Sequence, residues 1–203
     1  MRIGFFKRAS SYLLDAVPII MLVTASLSWF VGDIIGNSIE DYDRLRVLYT
    51  ENLAVYNETM SEYTQQYEDD IITAEEYTLL QTETQNTFTH NNSYLIDVVV
   101  YQYSLTALAY ILIAFVVIYT GYMIALKGNS LGRRLTRIEL AGNVTWYNII
   151  LRELFWKHLF WYGTLSAGMA IDLGLIAFTK KKATLRDTFS HTYLTPKGVN
   201  YPF

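Results

Sequence analysis

The stretch from Arg8 to Ile35, RASSYLLDAVPIIMLVTASLSWFVGDII, decides the fold. It exceeds the roughly 20 mostly apolar residues a helix needs to cross a bilayer. Arg8 stands at its mouth and Asp15 lies seven residues further in. Seven residues are two helical turns, so the two charges share one helix face, with Tyr12 between them. An ionisable residue near the centre of a span costs about 2.5 to 3.5 kcal/mol on insertion scales, so it generally has a partner and a role. The preceding MRIGFFKR is similar to the start of a signal peptide. The apolar run after it is too long for one and shows no small-residue cleavage site, so it reads as a retained first span.

Working outward, apolar residues gather in three blocks, 11–36, 94–126 and 146–179, separated first by a polar insert. Residues 37–93 hold twelve Asp and Glu against Arg44 and Arg46, whereas the rest of the chain holds fourteen Lys and Arg against seven acids. The basic residues flank the apolar blocks: Arg2, Lys7 and Arg8; Lys127, Arg133, Arg134 and Arg137; Lys180 to Lys182 and Arg186. By the positive-inside rule these flanks are cytoplasmic and the acidic insert lies outside. Membrane flanks account for the basic clusters, so no nucleic-acid partner is expected.

The expected class is all-α: a polytopic helical membrane protein with three to four membrane-embedded helices and an extracytoplasmic helical hairpin. The divisions are 1–36 for the first span, 37–93 for the insert, 94–195 for the rest of the membrane domain and 196–203 for the tail. In the insert, Tyr42, Leu45, Tyr56, Tyr63 and Tyr67 recur at helical spacing. The run breaks at Glu68-Asp69-Asp70. Thr73 and Glu76 then form a capping box that starts a second helix, expected to end near Gln85 before a polar lead-in to the membrane. The tyrosine stripe either closes the hairpin on itself or offers a docking face. The segment 128–143, GNSLGRRLTRIELAGN, reads as a turn followed by an extended piece. It lacks the spacing of a phosphate-binding loop.

Block 146–179 admits two readings. Either an interfacial helix leads into one crossing, or the block turns back on itself near Gly163 as two short arms. The basic flank at Lys180 to Lys182 favours the second.

Three motifs in order resemble the RDD family of bacterial membrane proteins: KRASSYLLD at 7–15, GNSLGRRLTRIEL at 128–140 and LRDTFSHTYL at 185–194. The resemblance covers 1–36 and about 94–195 and leaves out the insert. It implies that Arg8, Asp15 and Asp187 are the family's arginine and two aspartates. Gly128 and Gly132, with Arg133, Arg152 and Thr192, are supporting positions. The chain departs from the pattern at Arg186, where histidine is common, and at His191, where glycine is usual. The resemblance also implies transport, with cation/proton exchange as one form.

Two chemistries are open for the three charges. Arg8 and Asp187 can lock the tail to the first helix while Asp15 receives hydrogen bonds in the bundle, or Asp15 can carry a proton or cation. Asp172 is a further buried acid, expected to act as a cap or to pair with Lys157 or Arg152. No cysteine is present, the histidines at 90, 158 and 191 are scattered, and no hydrolase elbow occurs. Neither enzyme, cofactor nor metal is therefore expected. Two functions fit: a small, oligomeric transporter or transport-complex subunit in the cell membrane, or a non-transporting partner that docks another envelope protein through the acidic hairpin. The partners implied are the lipid bilayer and a second copy or another membrane protein.

Overall fold

The structure, a computed structural model, describes residues 3–164, 167–178 and 183–198. The basic flanks at Arg2 and at Lys180 to Lys182 lie outside the described residues. The chain is mostly helical. Two helices are long and apolar enough to cross a membrane: α1, Phe5–Asn37, and a second of the same length, Ser93–Ala125. Only 22% and 28% of their apolar windows are buried. The remainder, including Leu13, Met21 and Leu22 on α1 and Leu105, Ile113 and Val117 on the other helix, faces outward.

The chain divides into two compact units, and the division falls inside both long helices. One unit is Ser26–Tyr110. Here α1 ends beyond a π-helical turn at Leu27–Val31. After it come α2, Tyr42–Glu68, and α3, Ala74–Asn91. The Ser93–Ala125 helix follows as α4. The turn between α2 and α3 places Asp70 at φ 55°, and Thr73 with Glu76 closes the capping box. The tyrosine stripe is used within the hairpin. Tyr49 and Tyr56 pack on Phe88, and Tyr67 stacks on Tyr77 at 5.1 Å. Those contacts explain why α3 runs on to Asn91 instead of ending near Gln85. Phe88 anchors the last turns, and Asn52 donates to the Asn92 side chain at 2.6 Å. At the base of the hairpin Tyr42, Leu45, Val98 and Val99 form a small core. Tyr42 also stacks on Tyr103 there at 5.2 Å. Such a ring pair contributes about 0.5–1.5 kcal/mol beyond its burial.

The other unit joins the chain up to Ala25 with everything from Ile111 on. α4 closes with Lys127 left-handed at φ 49°. The Gly128 amide donates to the Met123 carbonyl at 2.7 Å and the Lys127 amide to Ile124 at 3.0 Å, the double bond of a Schellman cap. The segment expected to be a turn and an extended piece gains a helical turn between them: α5, Leu131–Leu135, capped by the Ser130 hydroxyl. The extended piece is β1, Ile138–Gly142. It pairs antiparallel with β2, Thr192–Pro196, in the register Ile138 with Pro196 and Gly142 with Thr192. This two-stranded ladder adds a small β element to the otherwise helical class. Between the strands lie α6, Trp146–Gly163, and α7, Ala167–Phe178, bent against each other by 117°. The short helix α8, Leu185–Phe189, carries its own capping box from Thr184 and Asp187. His191, at the family's glycine position, adopts the left-handed conformation at φ 49°. Histidine tolerates that region better than most residues, so the turn into β2 is made without glycine.

Candidate functional site

α1 buries Arg8, Ser11, Asp15, Ile19 and Val23, a seam at three- and four-residue spacing. From it a network of buried charges extends through the unit that holds both chain ends. Arg8 Nη1 lies 2.9 Å from Asp187 Oδ2, across 179 residues. Arg152 Nη1 lies 2.6 Å from Asp187 Oδ1 and also donates to the Thr192 hydroxyl at 3.1 Å. The Thr184 amide adds a bond to Asp187 Oδ2 at 3.0 Å. Burial by itself would raise the pKa of this carboxyl. The Arg152 and Arg8 guanidiniums outweigh it and hold Asp187 well below the usual carboxylate range.

Asp15 takes a different set of partners. It accepts from Ser130 Oγ at 2.5 Å, the Gly132 amide at 2.8 Å and the Tyr122 hydroxyl at 3.1 Å. It therefore ties α1 to the N-terminus of α5. Gly132 is required by close approach: a Cβ there would run into the Ser11 carbonyl and stand 2.8 Å from the Asp15 carboxylate. Gly128 and Arg133 support the same corner, because Arg133 donates to the Gly128 carbonyl and pairs with Glu153.

Glu153 is the hub that sequence reasoning passed over. Besides Arg133 it meets Lys157 at 3.1 Å and Arg152 at 3.4 Å. Lys157 donates to the Tyr119 hydroxyl at 2.5 Å and lies over the rings of Tyr12, at 3.9 Å, and Tyr119, at 4.1 Å. That is cation–π geometry. Residues 151–159 wind as a π-helix, and His158 Nδ1 approaches the Glu153 carbonyl at 2.5 Å. A carbonyl only accepts, so the proton sits on Nδ1. The available signal is two opposite charges four residues apart inside an apolar block, Glu153 and Lys157, a spacing that lets them pair on one helix face.

Asp172 does not pair with Lys157 or Arg152 as expected. Its partners come from the tail: the Leu185 amide at 3.0 Å and Arg186 Nε at 3.6 Å. The α6–α7 bend turns α7 toward α8, while Lys157 is already held by Glu153 and Tyr119. The Arg186 guanidinium also covers the Trp161 ring at 5.1 Å.

These side chains surround a cavity of about 380 Å³. Arg8, Arg133, Arg152, Lys157 and Arg186 line it, against Asp15 and Asp172 among the acids. Its remaining walls are aromatic and aliphatic. Among the described residues no group of histidines and acids is arranged to hold a metal ion. Compared with protein-family models, curated proteins and solved structures, the chain finds no match.

Proposed function

We propose that the protein is a multi-pass integral membrane protein of RDD type with a cytoplasmic N-terminus. In this reading its buried charge cluster is a solute site, and the chain works, as an oligomer or with a membrane partner, as a small transporter or transport-complex subunit. The observation that carries this reading is the cavity of about 380 Å³ lined by five cations and two carboxylates beside two candidate spans. Ionisable groups kept at membrane depth are costly and generally mark binding sites or ion pathways. The outward-facing apolar side chains of both long helices favour lipid as their surroundings. The 117° bend after Gly163 favours a re-entrant α6–α7 pair with both ends cytoplasmic. The lining charge fits an anion better than a cation, so cation/proton exchange is the poorer form of transport.

The test is flux in proteoliposomes: labelled phosphate and succinate uptake, and sodium-driven proton movement, each with wild type and Arg186→Gln. Uptake of the anions above protein-free vesicles, reduced by the substitution, supports the reading. No flux of any of the three ions abandons it.

A second reading rests on the hairpin. It exposes Val47, Leu48, Val55 and Leu79 on a strongly acidic surface, which suits docking to another envelope protein. Affinity purification of the chain with and without residues 40–88 tests it, and an identical set of partners counts against it.

A further inference from the structure

The cavity has two unlike ends. Its floor is built of charged side chains taken almost wholly out of solvent: Arg8, Arg133, Arg152 and Lys157 are between 1% and 6% exposed. Its rim is Leu13, Tyr162 and Met169, which are 56%, 46% and 40% exposed. Leu13 belongs to the apolar outer surface of α1 and Met169 to that of α7. The opening therefore faces sideways, between two apolar helices.

Arg8, Arg133, Arg152, Lys157 and Arg186 face Asp15, Glu153, Asp172 and Asp187, five basic groups to four acids among the described residues. Buried guanidiniums favour an anion placed beside them. Two N–H groups are open to one. The buried Nε atoms of Arg152 and Arg186 make no hydrogen bond; their nearest carboxylates are at 3.4 and 3.6 Å. Guanidinium donors match the paired oxygens of carboxylate and phosphate.

A small free oxyanion would not fill this space. At about 30 Å³ per liquid water, 380 Å³ corresponds to about a dozen waters. Phe5, Leu173 and Ile176, on the walls between floor and rim, offer such water no hydrogen bonds. The ligand that satisfies both ends carries its anion on an apolar body.

Resting on the reading of this cluster as a solute site, we infer that the cavity binds an amphiphile with one phosphate or carboxylate head, entering from the bilayer between α1 and α7. The head lies against Arg152 and Arg186, and the chain passes over Leu13 and Met169.

The experiment uses the full chain purified in a neutral detergent. Binding is read by native mass spectrometry and by the shift in unfolding temperature, with three probes: dioctanoyl phosphatidate, dioctanoyl phosphatidylcholine and inorganic phosphate. Phosphatidate is expected to bind at least tenfold tighter than either of the others. Leu13→Trp, which plugs an exposed rim position without touching the charge network, and Arg186→Gln are each expected to weaken it about tenfold. Leu79→Ser in the hairpin is expected to leave it unchanged. Equal binding of phosphatidylcholine reduces the site to an apolar groove, equal binding of phosphate makes it a site for a free anion, and no binding leaves it without this ligand; each overturns the inference. Flux without phosphatidate binding ends this inference alone, and binding without flux ends the transport reading alone.

Discussion

Arg152 Nη1 and Asp187 Oδ1 stand 2.6 Å apart, with both side chains almost fully buried. Arg8 holds the other oxygen of the same carboxylate at 2.9 Å. Asp187 is thus a single acid shared by two arginines from separate helices. Removing one partner of a buried pair leaves an uncompensated charge and costs about 3–5 kcal/mol. Asp187→Asn removes the charge that both guanidiniums share and weakens the Thr184 capping box as well. A large fall in unfolding temperature is expected in detergent. Asp172→Asn is expected to do much less, because its arginine is at 3.6 Å and does not bond it. Equal losses for the two would show that the Asp187 node carries no special weight.

Acid should release the tail late. The Asp187 carboxyl is depressed in the folded state relative to about 3.9 in an unfolded chain. A depressed acid contributes stability that is fully present above the unfolded value and is lost as pH falls toward the folded one. Between pH 7 and pH 4 the docking of α8 and β2 is therefore expected to hold. It should weaken only below about pH 4, and this acid limb should vanish in Asp187→Asn. Amide hydrogen exchange of the β2 backbone across this range reads it directly; loss of protection already at pH 6 in wild type would contradict it.

Gly132→Ala places a methyl group against the Ser11 carbonyl and the Asp15 carboxylate. Overpacking of this kind costs about 1–3 kcal/mol, and here it also pushes α5 off α1. Gly121→Ala is the matched control, since a Cβ there meets nothing within 4 Å. Comparing the unfolding of the two variants separates steric contact from any general intolerance of alanine.

Thr73→Ala removes the hydroxyl that accepts from the Glu76 amide at 3.3 Å and donates to its carboxylate at 2.9 Å. The Glu76 carboxyl is held below its ordinary value by the Thr73 amide and hydroxyl. The variant is expected to speed amide exchange several-fold in the first turn of α3 and to bring Glu76 back toward an ordinary glutamate in a carboxyl titration. The rest of the chain should be unaffected. Unchanged exchange at Glu76 would mean that the cap does not hold that turn.

Local features were readable from residue order alone. The shared face of Arg8, Tyr12 and Asp15 follows from helical spacing, and the Thr73–Glu76 box from a four-residue pattern. What escaped reading depended on distant segments. β2 is five residues long and pairs with a strand fifty or more residues earlier, so its Thr and Tyr residues do not by themselves announce a ladder. Sequence proximity pairs Asp172 with cations of its own block, yet the bend at the end of α6 brings Arg186 closer. Glu153 looks like an edge charge until Arg133, Arg152 and Lys157 are all placed around it. The polar run after Gln85 hides the last turns of α3, because Phe88 shows its value only with Tyr49 and Tyr56 facing it.

The shared carboxylate also bears on biogenesis. Asp187 follows Arg8 by 179 residues and Arg152 by 35, so the carboxylate that joins α1 to α6 is the last of the three to be synthesised. The contact that closes this part of the fold therefore becomes available only after both arginines have been made, and a chain cut before Asp187 lacks it.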